Sequence, residues 1–551
     1  MADDFSERYG DLLTGSYDCV DRIVLKAYFP LACRPGGFRC WWRRLHGGSD
    51  AQLDDTRLMR MGGRFARRVK AWGAASGVPV IYCKAGQRKH RIAEEYLATR
   101  DVTGPGVFLV LAAKAPAPVW KVKRSAAGNI TNLEKRIEYV NHYSFHIMDP
   151  DWGHVTVKMS GHPPFGAQIM LNGHEYVACQ ARKAGIAFVK AGNCFTAVAD
   201  PVGLARCADA LSQHAAIGRL SQVCQRWIYS ACLCFALDLA EQQRSGFGYE
   251  FSVYQVEYSR NLIFRNGQQM QQIFDLAVDR TRSRLDVPGV RTIFGAYARP
   301  HRDRKASSHM EAAIETPVYD LTIFKVHFGR LTAKAYTKGE RVLRFEAIAH
   351  NTAELRCGRV LEKFPEIVTR LAGMAGRFCT TLDCVDRGFI TSDVLDELPA
   401  PARLGATRTG GIDLNKPRIR AALAAALALT AAPRGFTVAE FTAKVAAMSG
   451  QAGYTTRQAA YDLRKLRGKG LAEKPGRSRR YHIPPGPART IAALLTLRDQ
   501  VIAPILAGVR SPRIGRKPKV WTAVDRRYEQ LRIGMQALFD DLGLNTVAMA
   551  A

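Results

Sequence analysis

The sequence predicts a multidomain α+β fold, and three observations carry that prediction. Apolar and polar residues alternate strictly through Tyr249–Ser259, the period of a half-buried strand. Asp54–Trp72 repeats apolar residues at helical spacing and leads into the apolar run Val78–Cys83, so a helical layer adjoins a sheet. Two helical patterns and a glycine-punctuated basic segment follow a Pro/Gly-rich stretch near the C-terminus. At 551 residues the chain exceeds a single core and corresponds to about three domains. The expected division is an N-terminal basic α/β region over 1–140, a central mixed-sheet domain with a helical insert over 141–398 and a linker over 399–414. A helical module over 415–507 and a basic tail with a helix over 508–551 complete it.

In the N-terminal region, Leu58, Met61, Phe65 and Val69 share one helical side, and Arg57, Arg60, Arg64, Arg67 and Arg68 lie largely on others. Val78–Cys83 and Gly106–Ala113 are buried-strand candidates, read as parallel neighbours. Between them, Lys84, Arg88 and Lys89 form a cationic loop before a helix, a placement suited to phosphate contact. No Walker motif occurs.

Alternation resumes at His142–Met159, and Asp149-Pro-Asp-Trp-Gly153 is strong turn chemistry, so this stretch reads as a β-hairpin. Pairing Met148 with His154 puts His142, Ser144, His146, Thr156 and Lys158 on one polar face; His142, His146 and His154 are the candidate metal ligands. Asn172 and Glu175 have capping-box spacing for a helix ending near Gly185. A helical block spans Pro201–Gln243. Strands follow at Tyr249–Ser259 and in a meander over Tyr319–Phe328, Leu331–Thr337 and Arg341–His350. With residue 334 opposite 344, one face carries Thr332, Lys334, Tyr336, Arg344 and Glu346, and Leu343, Phe345 and Ala347 face the core.

That polar face supplies the catalytic candidates. Tyr336 is placed as a nucleophile toward a phosphodiester, Lys334, Lys338 and Arg344 as stabilisers of the developing charge, and Glu346 with Glu257 as ligands for Mg²⁺ or Mn²⁺. The string Tyr336-Thr-Lys-Gly-Glu-Arg-Val-Leu-Arg-Phe-Glu346 resembles a strand pair of phage and plasmid replication initiators. The histidine-hydrophobe-histidine motif of rolling-circle initiators is absent.

The C-terminal module is the most explicit. Val438–Met448 and Thr456–Arg467 read as helices around a turn at Gly450 and Gly453, and Ala459, Leu463 and Leu466 form the buried stripe of the second. Arg457, Tyr461, Arg464, Lys465, Arg467 and Lys469 stand on or beside that helix. A hairpin then starts at Leu471 and returns through Arg479–Ile483, with Lys474, Arg477, Arg479 and Arg480 near its tip. Further helices are expected at Pro417–Leu429 and after Pro487. The strings Ala459–Leu471 and Ser478–Ile483 resemble the winged helix-turn-helix superfamily. The resemblance implies a second helix in a major groove and a wing on phosphates.

Charge agrees with a polyanionic partner. From Leu414 onward there are 24 Lys and Arg against 8 Asp and Glu, a net +16 of the formal +31 of the chain. The longest apolar runs, Trp227–Ala240 and Ala421–Ala432, are too short to span a bilayer. The acidic opening Met1–Asp11 lacks the apolar core of a secretion signal, and 13 cysteines without C-x-x-C spacing fit reduced, mostly buried thiols, so a cytoplasmic location is expected. The expected function is a DNA-binding protein of replication, recombination or mobile-element type. The alternatives are a non-enzymatic winged-helix regulator with a sensing central domain, and an RNA-binding component of a ribonucleoprotein.

Overall fold

The computed structural model describes residues 4–502 apart from 85, 103, 285–309, 316–320, 329, 387–396, 406, 433, 450–452 and 477, together with scattered positions within 523–534. Of the basic tail expected over 508–551 only those scattered positions are described, and Arg477 lies outside the described residues. The chain forms two compact units, one of Leu12–Gly267 with Arg330–Ala375, the other of Met1–Asp11, Gln268–Gly329 and Gly376–Ala551.

Helix α1 (Asp4–Arg8) opens the chain, and strand β1 (Leu13–Tyr28) begins the first unit. Helix α2 (Pro35–Leu45) starts with proline in its first turn, where no backbone donor is lost, and buries Phe38, Trp41, Trp42 and Leu45. Helix α3 (Asp55–Ser76) is capped by Asp54, whose side chain accepts from the Arg57 amide at 2.6 Å, and it ends at Gly77 in the left-handed region with φ +66°. Its buried stripe is the expected Leu58, Met61, Phe65 and Val69. Then come β2 (Val80–Tyr82), α4 (Lys89–Thr99), β3 (Gly106–Arg124), β4 (Ile130–Asp149), β5 (Gly153–Ser160), β6 (Ala167–Asn172) and α5 (Gly173–Lys183). A small hairpin of β7 (Phe188–Lys190) and β8 (Phe195–Val198) precedes α6 (Pro201–Asp209), α7 (Ala215–Cys224) and α8 (Leu239–Ser245). Strand β9 (Glu250–Phe264) returns to the sheet, followed by α9 (Gly267–Arg284).

In the second unit, β10 (Met310–Glu315) pairs antiparallel with β11 (Leu321–Phe328). Strands β12 (Leu331–Lys338) and β13 (Val342–Ala349) belong to the first unit, whose sheet runs β12-β13-β9-β1-β6-β5-β4-β3-β2. Strand β2 lies parallel to β3, with Val80 opposite Val110, and the other neighbours in that order are antiparallel. The fold is therefore mixed α and β with one large mixed sheet. The expected boundary at residue 140 does not exist as a break, because Val140 sits inside β4 and pairs with Ala115. Residues on both sides of it share one ladder, so the first two expected domains merge.

Helix α10 (Phe364–Asp386) follows the sheet. A hairpin of β14 (Ala402–Leu404) and β15 (Thr407–Thr409) precedes α11 (Pro417–Ala428), α12 (Val438–Ser449), α13 (Thr456–Gly468) and α14 (Pro485–Thr496). Isolated bridges join Phe436 to Tyr481 and Glu473 to His482. Around them Ile419, Leu423, Phe441, Leu463, Leu466 and Ile491 are buried in one core. The stretch 399–414, expected as a linker, is ordered instead. Leu398 and Ile412 are buried in that core, and the Ile412 amide donates to the Leu398 carbonyl at 2.8 Å. Apolar residues at both ends of the Pro/Gly segment pin it down.

Candidate functional site

A polar cluster lies inside the first unit where β1, β9 and β13 run side by side. The register across β1 and β9 slips between Val20 and Arg22, so Asp21 is an extra residue in the ladder. Its carboxylate accepts from Ser259 Oγ at 2.8 Å and lies 2.9 Å from His174 Nδ1 and 3.5 Å from Arg344 Nη1. Arg344 Nε donates to Asn261 Oδ1 at 2.6 Å, and its Nη2 donates to the Asn193 carbonyl. Tyr17 Oη sits 3.3 Å from His174 Nε2 and accepts from the Phe195 amide at 3.0 Å. Asp21, His174 and Arg344 are almost wholly buried. Burial alone would push the Asp21 carboxyl up, but Arg344, then His174 and Ser259, hold it at about 2. Burial pushes the His174 imidazole down against the pull of Asp21.

The cluster gathers some of the expected catalytic residues, with a corrected register. Lys334 pairs with Glu346 and Tyr336 with Arg344, two residues away from the expected opposition of 334 and 344. Since a two-residue shift preserves the face, Tyr336, Arg344 and Glu346 still point the same way. They are all buried, however: Arg344 and Glu346 lie in β13, every residue of which is buried, and Tyr336 in β12 is 8% exposed. Glu346 is ion-paired with Lys334, and the Arg344 guanidinium is taken up by Asp21, Asn261 and Asn193. Burial raises the Tyr336 phenol, which opposes a phenolate nucleophile. Lys338 is lowered to about 8 by burial and then by Arg344. Glu257 lines a cavity that also reaches Asp21 and Asn193 and accepts from Gln255 at 2.8 Å, while Glu346 is taken up by Lys334.

That cavity measures about 540 Å³ and lies over the sheet face formed by β9, β1, β6, β5 and β4. The pairing of Met148 with His154 is as expected, and it sets His146 opposite Thr156 and Ser144 opposite Lys158. On β5, Val155, Val157 and Met159 point into the core, leaving His154, Thr156 and Lys158 toward the cavity. His146 Nδ1 and His154 Nε2 are 3.0 Å apart. The expected three-histidine metal set does not form. His142 is four strand residues from His146, roughly 13 Å along β4, and its Nδ1 lies 3.3 Å from the Val140 carbonyl. Burial lowers His142 to about 4 and His146 to about 3, the nearby Lys158 adding to the first and His154 to the second. Among the described residues, Cys19, Asp21 and His174 do bring their ligand atoms within 4.8 Å of one another. The same Asp21 carboxylate lies 3.5 Å from Arg344 Nη1, so it is already shared with a cation.

The expected cationic loop divides. Lys84 and Arg88 are exposed, and Lys89, the first residue of α4, turns into the cavity with His90. At the helix N-terminus after β6, Asn172 caps α5 by accepting from the His174 amide at 3.0 Å. Glu175 does not complete the capping box; it pairs with Lys190 at 2.6 Å.

In the second unit, α13 is closed by a capping box of Thr455 and Gln458 and buries Ala459, Leu463 and Leu466. Arg457, Tyr461 and Arg464 are exposed at spacings of four and three, so they share a face, and Arg479 is exposed after the turn at Gly476. Arg457, Arg464, Arg467 and Arg479 make no ion pair among the described residues. Other expected contacts are engaged within the module. Lys465 donates to the Gly411 carbonyl at 3.0 Å, Lys469 to the Glu397 carbonyl, and Arg480 to the Gly435 carbonyl at 2.9 Å.

Tyr17, Asp21, His174, Asn193, Ser259 and Asn261 did not stand out as a set in the sequence. One local signal was present, the polar Tyr17-Asp-Cys-Val-Asp-Arg22 within an otherwise apolar strand. Comparisons with protein families, with curated proteins and with solved structures return no match for this chain.

Proposed function

We propose that this is a nucleic-acid-binding protein with duplex DNA as its partner, and that the C-terminal module is a winged helix. On this reading α13 enters a major groove and the segment from Leu471 to Ile483 lies along the flanking phosphates. One observation carries it: the solvent face of α13 presents Arg457, Tyr461 and Arg464 without ion pairs among the described residues, beside an exposed Arg479. Cations left without protein partners on a helix face suit phosphates and guanine edges, which bind guanidinium in bidentate geometry.

A role in replication, recombination or a mobile element gives the large first unit work on the DNA that the module holds. The cavity over the sheet favours the second reading, a regulator whose first unit senses a ligand. Bond breaking is not assigned to Tyr336, Arg344 or Glu346, since their partners lie within the sheet. Strand cleavage with Mg²⁺ or Mn²⁺ that disappears in Glu346→Ala would reinstate them.

Duplex binding of the full chain tests the main reading. Arg457→Ala and Arg464→Ala are each expected to weaken it by about tenfold, with folding unchanged by circular dichroism. Unchanged affinity in both variants would make the module a protein-docking domain. Tighter binding to structured RNA than to duplex DNA would move the partner to RNA.

A further inference from the structure

We propose that the cavity of the first unit binds a phosphomonoester of nucleotide size, with Lys89 and Lys158 on the phosphate and Glu257 on a ligand hydroxyl. The partnering of the charges around the cavity is the first argument. Three cations line it, Arg22, Lys89 and Lys158, and none of them makes an ion pair among the described residues. The carboxylates of the same cavity already have partners. Asp21 is held by His174, Ser259 and Arg344, Glu175 by Lys190, and Glu257 by the Gln255 amide. Glu257 has no ion pair and attracts Arg22, which leaves Lys89 and Lys158 as the cavity cations without a carboxylate partner among the described residues.

A second observation concerns the floor of the same cavity. His146 is 4% exposed and lines the cavity, and its Nδ1 lies 3.0 Å from His154 Nε2 and 3.4 Å from Thr156 Oγ1. His146 thereby positions His154 and Thr156, two polar groups that a ligand beside Lys158 would meet. The N-terminus of α4 adds backbone donors, since Arg88 at its N-cap makes no side-chain cap bond. Burial, and then the nearby Lys89, lower the Lys158 ammonium.

The size and the mixture of chemistries narrow the ligand. A cavity of about 540 Å³ lies within the usual range for small-molecule sites and holds far more than an inorganic anion. Ser144 and Thr156 place hydroxyls on the floor between the lysines and the histidines. Glu257, across the floor from Lys158, supplies an acceptor for a sugar hydroxyl. Phosphate at one end and a hydroxyl-bearing body at the other describe a nucleotide, whether free or at the 5′ end of a strand.

The test is calorimetric titration of the full chain with 5′-AMP, adenosine, inorganic phosphate and a 5′-phosphorylated oligonucleotide. It is run on wild type, Lys158→Met, His146→Asn and Arg464→Ala, each checked for folding by thermal melting. The expected result is AMP binding that falls by about tenfold or more in Lys158→Met and in His146→Asn, persists in Arg464→Ala, and is not reproduced by adenosine. Preference for AMP over the oligonucleotide in this Lys158-dependent binding marks a free nucleotide; the reverse marks a strand end. No binding of any phosphate-bearing probe at about 1 mM, or binding indifferent to both cavity variants, overturns the proposal. Arg464→Ala separates it from the DNA-binding reading, because weakened duplex binding with AMP binding retained in that variant shows that the two sites are independent.

Discussion

Asp21 shows how one inserted residue organises the interior. The register of β1 and β9 skips it between Val20 and Arg22, and its carboxylate meets Ser259, His174 and Arg344. Four buried polar groups thereby satisfy one another. Removing one partner of a buried pair leaves the other charge uncompensated, so Asp21→Asn is expected to lower stability by about 3 kcal/mol or more in chemical denaturation. The pH dependence follows from the lowered carboxyl. Its stabilising contribution is complete above the ordinary value of 3.8 and is lost as pH falls toward about 2. Wild-type stability should therefore decline over that interval, and Asp21→Asn should flatten the decline; an acid limb unchanged in the variant would assign it to other carboxylates. Asp21 was hard to recognise in the sequence because its partners lie more than 150 residues away in the chain.

Among the elements, α5 carries His174 into that cluster, and its seating depends on the absence of a side chain at Gly173. A Cβ at that position would come within 1.6 Å of the Val20 carbonyl on β1. Gly173→Ala must push the helix off the strand and draw His174 away from Asp21. A loss of about 1–3 kcal/mol is expected by denaturant titration, and a stability equal to wild type would show that helix and strand separate without cost. Periodicity made most elements legible, including the α3 stripe, the β4–β5 hairpin with Met148 opposite His154, and the limits of α12 and α13. It misplaced the β12–β13 register by two residues, because a period of two has the same appearance at either offset. The supposed linker was misread for a different reason. Pro and Gly report backbone permissiveness, whereas Leu398 and Ile412 are held by a core formed from residues further along the chain.

Across the whole molecule, the formal charge of +31 gives the proposed duplex binding a non-specific electrostatic component to test. Duplex affinity should fall steeply with salt, and Arg479→Ala should reduce the log–log slope by about one. A slope unaffected by this change would place Arg479 away from the phosphate backbone. No helix among the described residues is long and apolar enough to cross a membrane.

By itself the sequence determined the charge, the mixture of helix and strand, and the cationic face of α13, since each follows from local spacing of residue types. Only the tertiary structure decided which polar residues meet. It merged the expected first two domains through the β3–β4 ladder, withdrew Tyr336, Arg344 and Glu346 into paired burial, and separated His142 from His146 and His154. It also set Lys89, Lys158 and His146 around one cavity. The physical reason is range: periodicity records which face of its own element a side chain takes, while partnering and burial depend on strands brought together from distant parts of the chain.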